Sequence, residues 1–301
     1  MKYALYSLLA LLAGLVLWGT VIEPRFLLDE AEVEAEVPFL PPSWDGQTVA
    51  LLSDFQVGMW GGNVAMAQEA VETAIARGVS AALFAGDFVY SPDSSEVDRA
   101  VGIVRAFQEA GIPFVAVLGN HDYSLMDQSS EVDEATLSYL TAELRAAGAT
   151  LLENEAVPLA RGGDTLWVAG IGSVWAEKSE PASAMAGVPP EAARLVLMHN
   201  PESYRELRAG EAPLALAGHT HGGQIRLIPG RSDSWLDIVR EGEVIADGWA
   251  LDSLGAAGNR LYVTRGIGFS GAPVRINCRP ELTLVTLRAA RGDLPLRGPD
   301  A

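Results

Sequence analysis

Residues 79–87 have the sequence VSAALFAGD, in which five apolar residues lead directly into a glycine and an aspartate. A short, continuous apolar run bounded by turn residues is typical of a strand that is buried on both faces. Apolar residues at helical spacing precede this strand, from Asn63 to Gly78, and a second helix is predicted from Glu96 to Ala110. This alternation of helix and strand predicts an α/β domain.

The alternation continues on both sides of this strand. A third helix is predicted from Glu134 to Ala147 and ends at Gly148. In the second half of the chain, strands follow one another with fewer helices between them, so we expect mixed strands in two sheets that pack together. The other predicted strands are Thr48–Leu52, Phe114–Leu118, Leu166–Ala169, Leu195–Met198, Leu214–Ala217, Leu261–Thr264 and Leu282–Leu287.

Five of the predicted strands are followed at once by side chains that commonly bind ligands. The carboxyl ends of strands are where open α/β sheets collect their ligands. A single histidine or aspartate in a turn is usually structural, but all four histidines of the chain lie in these turns. This concentration predicts a functional site formed by Asp54, by Gly86-Asp87, by Gly119-Asn120-His121-Asp122, by His199 and by the sequence GHTHGG at 218–223.

The residue types in these turns fit a site that holds metal ions. Two-metal hydrolases use carboxylate oxygens and imidazole nitrogens, and their two ions lie about 3.5–4 Å apart. Glycines let the backbone and a phosphate group come close to such ions. The turns therefore favour a metal-dependent hydrolase.

From Val49 to Leu287 these turns resemble the calcineurin-like metallophosphoesterase superfamily. The membrane-anchored bacterial branch of that family is similar in more detail, with Ile22-Glu23-Pro24 after an apolar N-terminus, GHTHGGQ at 218–224 and RGIG at 265–268. The resemblance implies a four-layer αββα sandwich, in which two mixed sheets lie between helices. It also implies hydrolysis of phosphoester bonds with the help of two metal ions, which would be iron, manganese or zinc.

The resemblance assigns a role to each polar residue of the turns. His121 would bind no metal and would face the scissile phosphate as a general acid or charge stabiliser. The metal ligands implied are Asp54 and His221 for the first ion, Asp87 as the bridge between the ions, and Asn120, His199 and His219 for the second ion.

The first turn departs from the family pattern. It is usually Asp-x-His, but here the sequence is SDFQVG at 53–58, so that Gln56 stands in place of the imidazole. Gln56 can bind through its carbonyl oxygen, water can fill the place, or Tyr90 can substitute. The sequence GDFVY at 86–90 is similar to purple acid phosphatases, in which a tyrosine at this offset binds ferric iron. Tyr90 can equally be an ordinary aromatic residue of the pocket wall.

The N-terminal segment predicts a membrane anchor. Residues 3–22 contain no charged side chain and lie between Lys2 and Glu23. A helix of about twenty residues spans roughly 30 Å, the thickness of the hydrocarbon core of a bilayer. A cleaved signal peptide is the alternative, but the sequence LWGT at 17–20 is a poor cleavage site. The acidic residues that follow favour a single-pass protein with its catalytic domain on the extracytoplasmic side.

Composition excludes several classes of protein. The chain of 301 residues has 21 Lys and Arg against 39 Asp and Glu, a net charge of −18. Nucleic-acid binders normally need a basic surface, so we expect no nucleic acid as a partner. Cys278 is the only cysteine, which excludes an internal disulfide and a cysteine-rich metal site.

We therefore expect an anchor at 1–22, a linker with a solvated acidic spacer at 23–46, a metallophosphoesterase domain at 47–290 and a flexible tail at 291–301. The substrate can be a phosphomonoester, a phosphodiester or a pyrophosphate. The anchored branch favours a lipid-linked or sugar-nucleotide species similar to UDP-diacylglucosamine. The alternative function is a membrane-bound binding protein whose degenerate first metal site leaves one metal or none. The oligomeric state is left open by the sequence.

Overall fold

The computed structural model describes residues 2–91, 93–127, 129–226 and 246–290, so the expected tail at 291–301 lies outside the described residues. Two six-stranded sheets form the body of the domain. Their strands are β1 Asp29–Val37, β2 Thr48–Leu52, β3 Ala81–Ala85, β4 Phe114–Val117, β5 Ala149–Leu151, β6 Glu155–Arg161, β7 Asp164–Gly170, β8 Arg194–Leu197, β9 Ala215–Ala217, β10 Gly248–Trp249, β11 Leu261–Val263 and β12 Glu281–Ala289.

Both sheets are mixed. The first has the strand order β1-β12-β2-β3-β4-β5, and only the β12–β2 pair is antiparallel. The second has the order β10-β11-β9-β8-β7-β6, with antiparallel pairs at its two ends. The predicted α/β fold with two packed, mixed sheets is confirmed.

The helices cover the outer faces of the two sheets. Asp93 and Asp133 cap two of them, since each carboxylate accepts hydrogen bonds from backbone N–H groups in the first turn. The three helices predicted in the first half of the chain are confirmed. The α-helices are α1 Lys2–Leu17, α2 Glu23–Phe26, α3 Val64–Ala76, α4 Ser94–Glu109, α5 Glu134–Ala146 and α6 Pro181–Ala186, and short 3₁₀ turns lie at His121–Tyr123, Pro201–Glu206, His221–Gly223 and Asp252–Leu254.

Successive side chains of each strand point to opposite faces of its sheet, and this alternation produces the layers. In β2, Val49 and Leu51 lie in the core between the two sheets. Ala50 and Leu52 point the other way, into the core that the first sheet shares with α3, α4 and α5. A third core lies on the outer face of the second sheet, where α6 packs. Each central strand is therefore buried on both faces, which explains its continuous apolar sequence.

Residues 29–37 differ from the expected linker because they form β1 at the edge of the first sheet. This strand pairs in parallel with β12 over nine positions. Its sequence, DEAEVEAEV, alternates acidic and apolar residues, and the inward-facing Ala35 and Val37 are buried. Arg77 and Arg288 form ion pairs with the outward-facing glutamates. The acidic run is thus one polar face of a strand rather than a solvated spacer.

The N-terminal residues form one helix that is long and apolar enough to cross a membrane. It runs from Lys2 to Phe26 and comprises α1, a π-helical turn at Trp18–Ile22 and α2. α1 buries none of its residues, whereas Gly19, Glu23 and Pro24 are buried against the domain. We call the whole segment the apolar helix; its first part projects from the domain and its last two turns pack on it.

Candidate metal centre

The carboxyl ends of β2, β3, β4, β8 and β9 meet at one edge of the two sheets and bring the predicted site residues together. The backbone there is unusual, because a positive φ is uncommon outside glycine. Five of the predicted metal ligands have φ between +51° and +73°. Such conformations cluster at functional sites. The residues concerned are Asp54, Gln56, Asp87, His219 and His221.

The first group of ligand atoms comes from Asp54, Asp87 and His221, whose candidate ligand atoms all lie within 4.8 Å of one another. Ser53 Oγ and the His219 backbone N–H donate to Asp54 Oδ2. The other oxygen, Oδ1, has no hydrogen-bond partner although it is buried, and it lies 3.4 Å from His221 Nε2. An unpaired buried carboxylate oxygen beside an imidazole is suited to a cation.

The second group is formed by Asn120, His199 and His219. His199 Nε2 lies 3.1 Å from Asn120 Oδ1 and 3.1 Å from His219 Nδ1, and 3.4 Å from Asp87 Oδ2. Asn120 donates through Nδ2 to the carbonyl of Leu125, so its side-chain oxygen points at His199. Asp87 thus lies between the two groups.

His121 lies beside Asp87 and is oriented by the β3 turn. Its backbone N–H donates to Asp87 Oδ1 at 2.9 Å. The ring Nδ1 lies 2.9 Å from the carbonyl oxygen of Tyr90, to which it donates, and the ring of Tyr90 stacks on it at 4.7 Å. These contacts leave Nε2 as the nitrogen available to a substrate.

The charges of the site stabilise protons in positions where metal ions would bind. Burial, with a smaller contribution from the Asp87 carboxylate, raises the pKa of Asp54 to about 7. The pKa of His199 is raised to about 9, because the attraction of Asp87 outweighs the lowering effect of burial. The pKa of Asp87 itself is lowered, since the nearby histidines outweigh the raising effect of burial. The carboxylate oxygens and imidazole nitrogens that hold these protons are the donors that a divalent metal would use.

Two glycines allow the close approach that the site needs. A Cβ atom at Gly119 would lie 2.1 Å from Asp87 Oδ1. Gly266 has φ +62°, and a Cβ there would lie 2.7 Å from Asp54 Oδ2. Any larger residue at either position would displace a carboxylate of the site.

The sequence of residues 47–223 matches the family model of the calcineurin-like phosphoesterases, and that range contains all of the residues grouped above. The chain belongs to the calcineurin-like phosphoesterase family. It is therefore a hydrolase of phosphoester bonds, and the family uses divalent metals. The predicted resemblance is confirmed at the level of the family.

Three relatives of this phosphoesterase are informative. It is 31% identical over 225 residues to phosphodiesterase YaeI of Escherichia coli, covering 74% of this chain and 76% of the relative. It is 29% identical over 150 residues to UDP-2,3-diacylglucosamine pyrophosphatase LpxG of Chlamydia trachomatis, covering 49% and 44%. It is 27% identical over 296 residues to a transmembrane protein with metallophosphoesterase domain of Bos taurus, covering 91% and 62%. The Bos taurus relative is named as a transmembrane protein, which agrees with the apolar helix of this chain.

Gln56 occupies the position of the missing histidine in this phosphoesterase. It is buried, and its Nε2 donates to Asp87 Oδ2 at 2.7 Å. Its side-chain oxygen has no hydrogen-bond partner. The Gln56 amide is thus hydrogen-bonded to the Asp87 carboxylate, and its side-chain oxygen remains available to act as a neutral metal ligand. Tyr90 lies on the His121 side of the site and contacts that ring.

Asp122 lies in the predicted GNHD turn, but the sequence interpretation gives it no role of its own. Its buried carboxylate accepts four backbone N–H groups, from Asp87, Phe88, Val89 and Gly119. It therefore fixes the β3 turn to the β4 turn and holds Asp87 in place. Burial raises its pKa to about 7, together with the Asp87 charge and against the N–H donors. Its place in the sequence GNHD is the one signal that could have indicated it.

Metal binding to this phosphoesterase should release protons. In the metal-free protein at pH 6, Asp54 and His199 are both protonated by the pKa values above, and ligands must lose their protons to bind a metal. We expect about two protons released per protein at pH 6 and about one at pH 8, so the apparent affinity for Mn²⁺ rises with pH between these values. Calorimetric titrations in two buffers of different ionisation enthalpy measure this number, and identical heats in both buffers at pH 6 would contradict it.

Proposed function

We propose that this chain is a membrane-anchored phosphoesterase with two metal ions, which cleaves a phosphodiester or pyrophosphate bond. The observation that carries this proposal is the position of Asp87 between two groups of ligand atoms. One group contains Asp54 and His221, and the other contains Asn120, His199 and His219. Two groups of ligands that share one carboxylate are typical of two-metal hydrolases.

The residues present fit two metal ions in number and chemistry. The first ion would be held by Asp54, Asp87, His221 and either Gln56 or Tyr90, a donor set that suits iron, manganese or zinc. Metal ions supply Lewis-acid stabilisation of charge on the phosphoryl oxygens and activation of water. The hydrogen bond from His199 Nδ1 to the Ala85 carbonyl, 2.6 Å, orients the ring so that Nε2 faces the second group.

His121 would act on the leaving group. Its Nδ1–H is held by the Tyr90 carbonyl, so Nε2 is the atom that would donate a proton to the oxygen leaving the phosphorus. The stacked Tyr90 ring restricts the rotation of the imidazole. His121 is 7% exposed, and it can therefore be reached by a substrate without being surrounded by water.

His121→Ala should lower kcat by about 10²–10⁴-fold, because a positioned general acid contributes this much. The metal content should stay that of the wild type, since the role proposed for His121 includes no metal bond. Hydrolysis of bis-p-nitrophenyl phosphate and elemental analysis of the same sample measure the two quantities. Loss of one metal ion in this variant would show instead that His121 is a ligand.

A lipid-linked substrate is supported by the surroundings of the site. Trp60 is 66% exposed, and Trp175 is 37% exposed and lies edge-on to His219 at 5.7 Å. Arg25, near the end of the apolar helix, donates to the carbonyls of Gly61 and Gly62, so the loop with Trp60 is attached to the end of that helix. Exposed tryptophans at this position suit a membrane interface.

Two of the relatives have names that state an activity, and these activities narrow the class of substrate that we infer. One is a phosphodiesterase and another is a pyrophosphatase that acts on a sugar nucleotide carrying two acyl chains. For this chain we infer a substrate with a phosphodiester or pyrophosphate bond and an apolar portion, with the catalytic domain on the extracytoplasmic side.

The experiment that tests this function uses the full chain in detergent, loaded with Mn²⁺, Zn²⁺ or iron. Its rates on p-nitrophenyl phosphate, bis-p-nitrophenyl phosphate, a UDP-sugar and UDP-diacylglucosamine in mixed micelles are compared. We expect two metal ions per chain and the highest kcat/KM on an acylated substrate. Two bound ions with no hydrolysis of any of these compounds would reject the function.

The second candidate function is a membrane-bound binding protein with one metal ion or none, and the substitution at Gln56 favours it. A metal content of one ion or less per chain, with binding of a phosphate ester but no turnover, would support it. The full set of Asp87, His121 and the second group of ligands favours the enzyme, because binding alone does not require His121 beside the bridging carboxylate.

Gln56→His should strengthen metal binding at the first group about tenfold or more, because imidazole is a better donor than a neutral amide. Tyr90→Phe separates the two candidate ligands, because it should leave the affinity for Mn²⁺ unchanged if Gln56 completes the first group. Calorimetric titration of the two variants measures the affinities. If the protein loaded with ferric iron instead shows a visible phenolate-to-iron absorption band that Tyr90→Phe removes, Tyr90 is the ligand that completes the first group.

A further inference from the structure

A buried carboxylate outside the metal-binding turns connects the apolar helix to the domain. Glu23 is 1% exposed. It accepts the backbone N–H groups of Asn277 and Cys278 at 2.9 and 2.5 Å and the indole N–H of Trp18 at 2.5 Å. Asn277 has φ +54°, so the turn that Glu23 caps is in a conformation that needs support. Burying a charged group in this way is costly unless it has such donors.

The turn capped by Glu23 carries a buried arginine. Arg275 is fully buried, and its own backbone N–H donates to the carbonyl of Gly19 in the apolar helix at 2.8 Å. Its guanidinium donates to backbone carbonyls of three segments next to the first ligand group. The acceptors are the carbonyls of Arg265, Gly266, Gly268, His221 and Cys278, at 2.7–3.4 Å.

The loop that Arg275 holds lies directly on Asp54. The backbone N–H of Ile267 donates to the carbonyl of Ser53 at 3.1 Å, and that of Gly268 donates to the carbonyl of Asp54 at 2.6 Å. The loop 265–268 therefore fixes the backbone conformation of Asp54, which has a positive φ. A displacement of the loop would move a carboxylate of the first ligand group.

A second contact leads from the apolar helix to the same loop. Asn63 is buried and does not cap α3, although its sequence position is that of a cap. Its Nδ2 donates instead to the carbonyls of Pro24 and Ile267, at 2.6 and 3.2 Å. The side-chain amide of Asn63 is thus hydrogen-bonded both to Pro24 and to the loop 265–268.

We propose that Glu23 is a positioning residue of the metal centre, which acts through Asn277, Cys278 and Arg275 on the loop 265–268 and hence on Asp54 and His221. The end of the apolar helix is then part of the catalytic structure as well as a link to the membrane. This inference rests on the proposed two-metal function for its catalytic meaning. The hydrogen bonds that connect Glu23 to the loop 265–268 do not depend on that function.

The experiment compares the full chain with Glu23→Ala, Glu23→Gln and the control Glu36→Ala, all in detergent. Glu36 is an exposed glutamate of β1. In Glu23→Ala we expect amide hydrogen exchange in peptides covering 263–270 and 274–280 to accelerate about tenfold or more, because buried N–H groups lose their acceptor. The affinity for Mn²⁺ should fall about 10–100-fold, as for other groups that orient metal ligands. For Glu23→Gln, both the exchange rate and the Mn²⁺ affinity should lie between those of Glu23→Ala and the wild type. Glu36→Ala should match the wild type in both.

The outcomes separate this inference from the proposed function. If Glu23→Ala does not fold, Glu23→Gln decides by the same two measurements. Wild-type exchange at 263–270 and wild-type Mn²⁺ affinity in the folded Glu23 variant would overturn the positioning role, even if the enzyme hydrolyses phosphoesters. A wild-type protein that hydrolyses no phosphoester would reject the proposed function, while the exchange data would still decide whether Glu23 holds the loop.

Discussion

Asp87→Asn should reduce turnover by about 10⁴-fold or more, the size of loss seen when a central catalytic group is removed. The carboxylate lies between the two groups of ligand atoms and accepts hydrogen bonds from the His121 backbone N–H and from Gln56. Asparagine keeps its shape but removes the negative charge that both groups share. Steady-state kinetics on bis-p-nitrophenyl phosphate and metal analysis of the purified protein measure the loss.

The fold should survive this substitution, because asparagine keeps the shape of the side chain, and the lost attraction to His199 is offset by the lost repulsion from Asp54 and Asp122. The melting temperature should therefore stay within a few degrees of the wild type. Asp98→Asn is an Asp-to-Asn change at an exposed position on α4; it serves as the control variant and should keep full activity. Turnover near the wild-type rate in Asp87→Asn with two metals still bound would falsify the bridging role.

Asp122→Ala should have the largest effect on stability. It leaves four buried backbone N–H groups without their acceptor, and each such group costs about 1–3 kcal/mol. A total of about 4 kcal/mol or more is a large part of the 5–15 kcal/mol that stabilises a typical domain. We expect the melting temperature to fall by about 10 °C or more, since 1 kcal/mol corresponds to about 2–4 °C at this size.

Asp133→Ala is the matched control for Asp122→Ala. Asp133 also accepts two backbone N–H groups with one carboxylate, but it does so at the exposed start of α5. Loss of an exposed cap costs about 1 kcal/mol. Equal shifts of the melting temperature in the two variants would show that the buried position of Asp122 adds nothing, and that the β3 and β4 turns are held by other contacts.

The strands around the metal centre could be predicted because each is buried on both faces. Leu83 faces the other sheet and Phe84 faces the helices, so the sequence of β3 is continuously apolar and contrasts with the glycine and aspartate that follow. The same contrast marks β2, β4, β8 and β9. Six of the residues predicted as metal ligands follow these strands and lie close together, namely Asp54, Asp87, Asn120, His199, His219 and His221, whereas Tyr90 stacks on His121.

β1 could not be predicted in the same way, because only one of its faces is buried. Its alternating glutamates and small apolar residues have the composition of a solvated segment, and its pairing partner, β12, lies about 250 residues further along the chain. The roles of Asp122 and Glu23 were missed for a related reason. Most of the backbone N–H groups that they accept from are distant in sequence, and apart from the GNHD turn nothing in the sequence pattern marks such an acceptor.

The place of β1 in the sheet has a consequence for proteolytic shedding. Many membrane-tethered domains can be released in active form by a cut in the stalk, but here the end of the apolar helix supplies Glu23, and the residues directly after it form a nine-residue strand of the first sheet. A cut between residues 23 and 28 would separate Glu23 from the domain, and a cut within β1 would also remove part of an edge strand and expose the hydrogen-bonding edge of β12. Release from the bilayer at this point is therefore coupled to loss of the enzyme, and only a cut within α1 would free an intact domain.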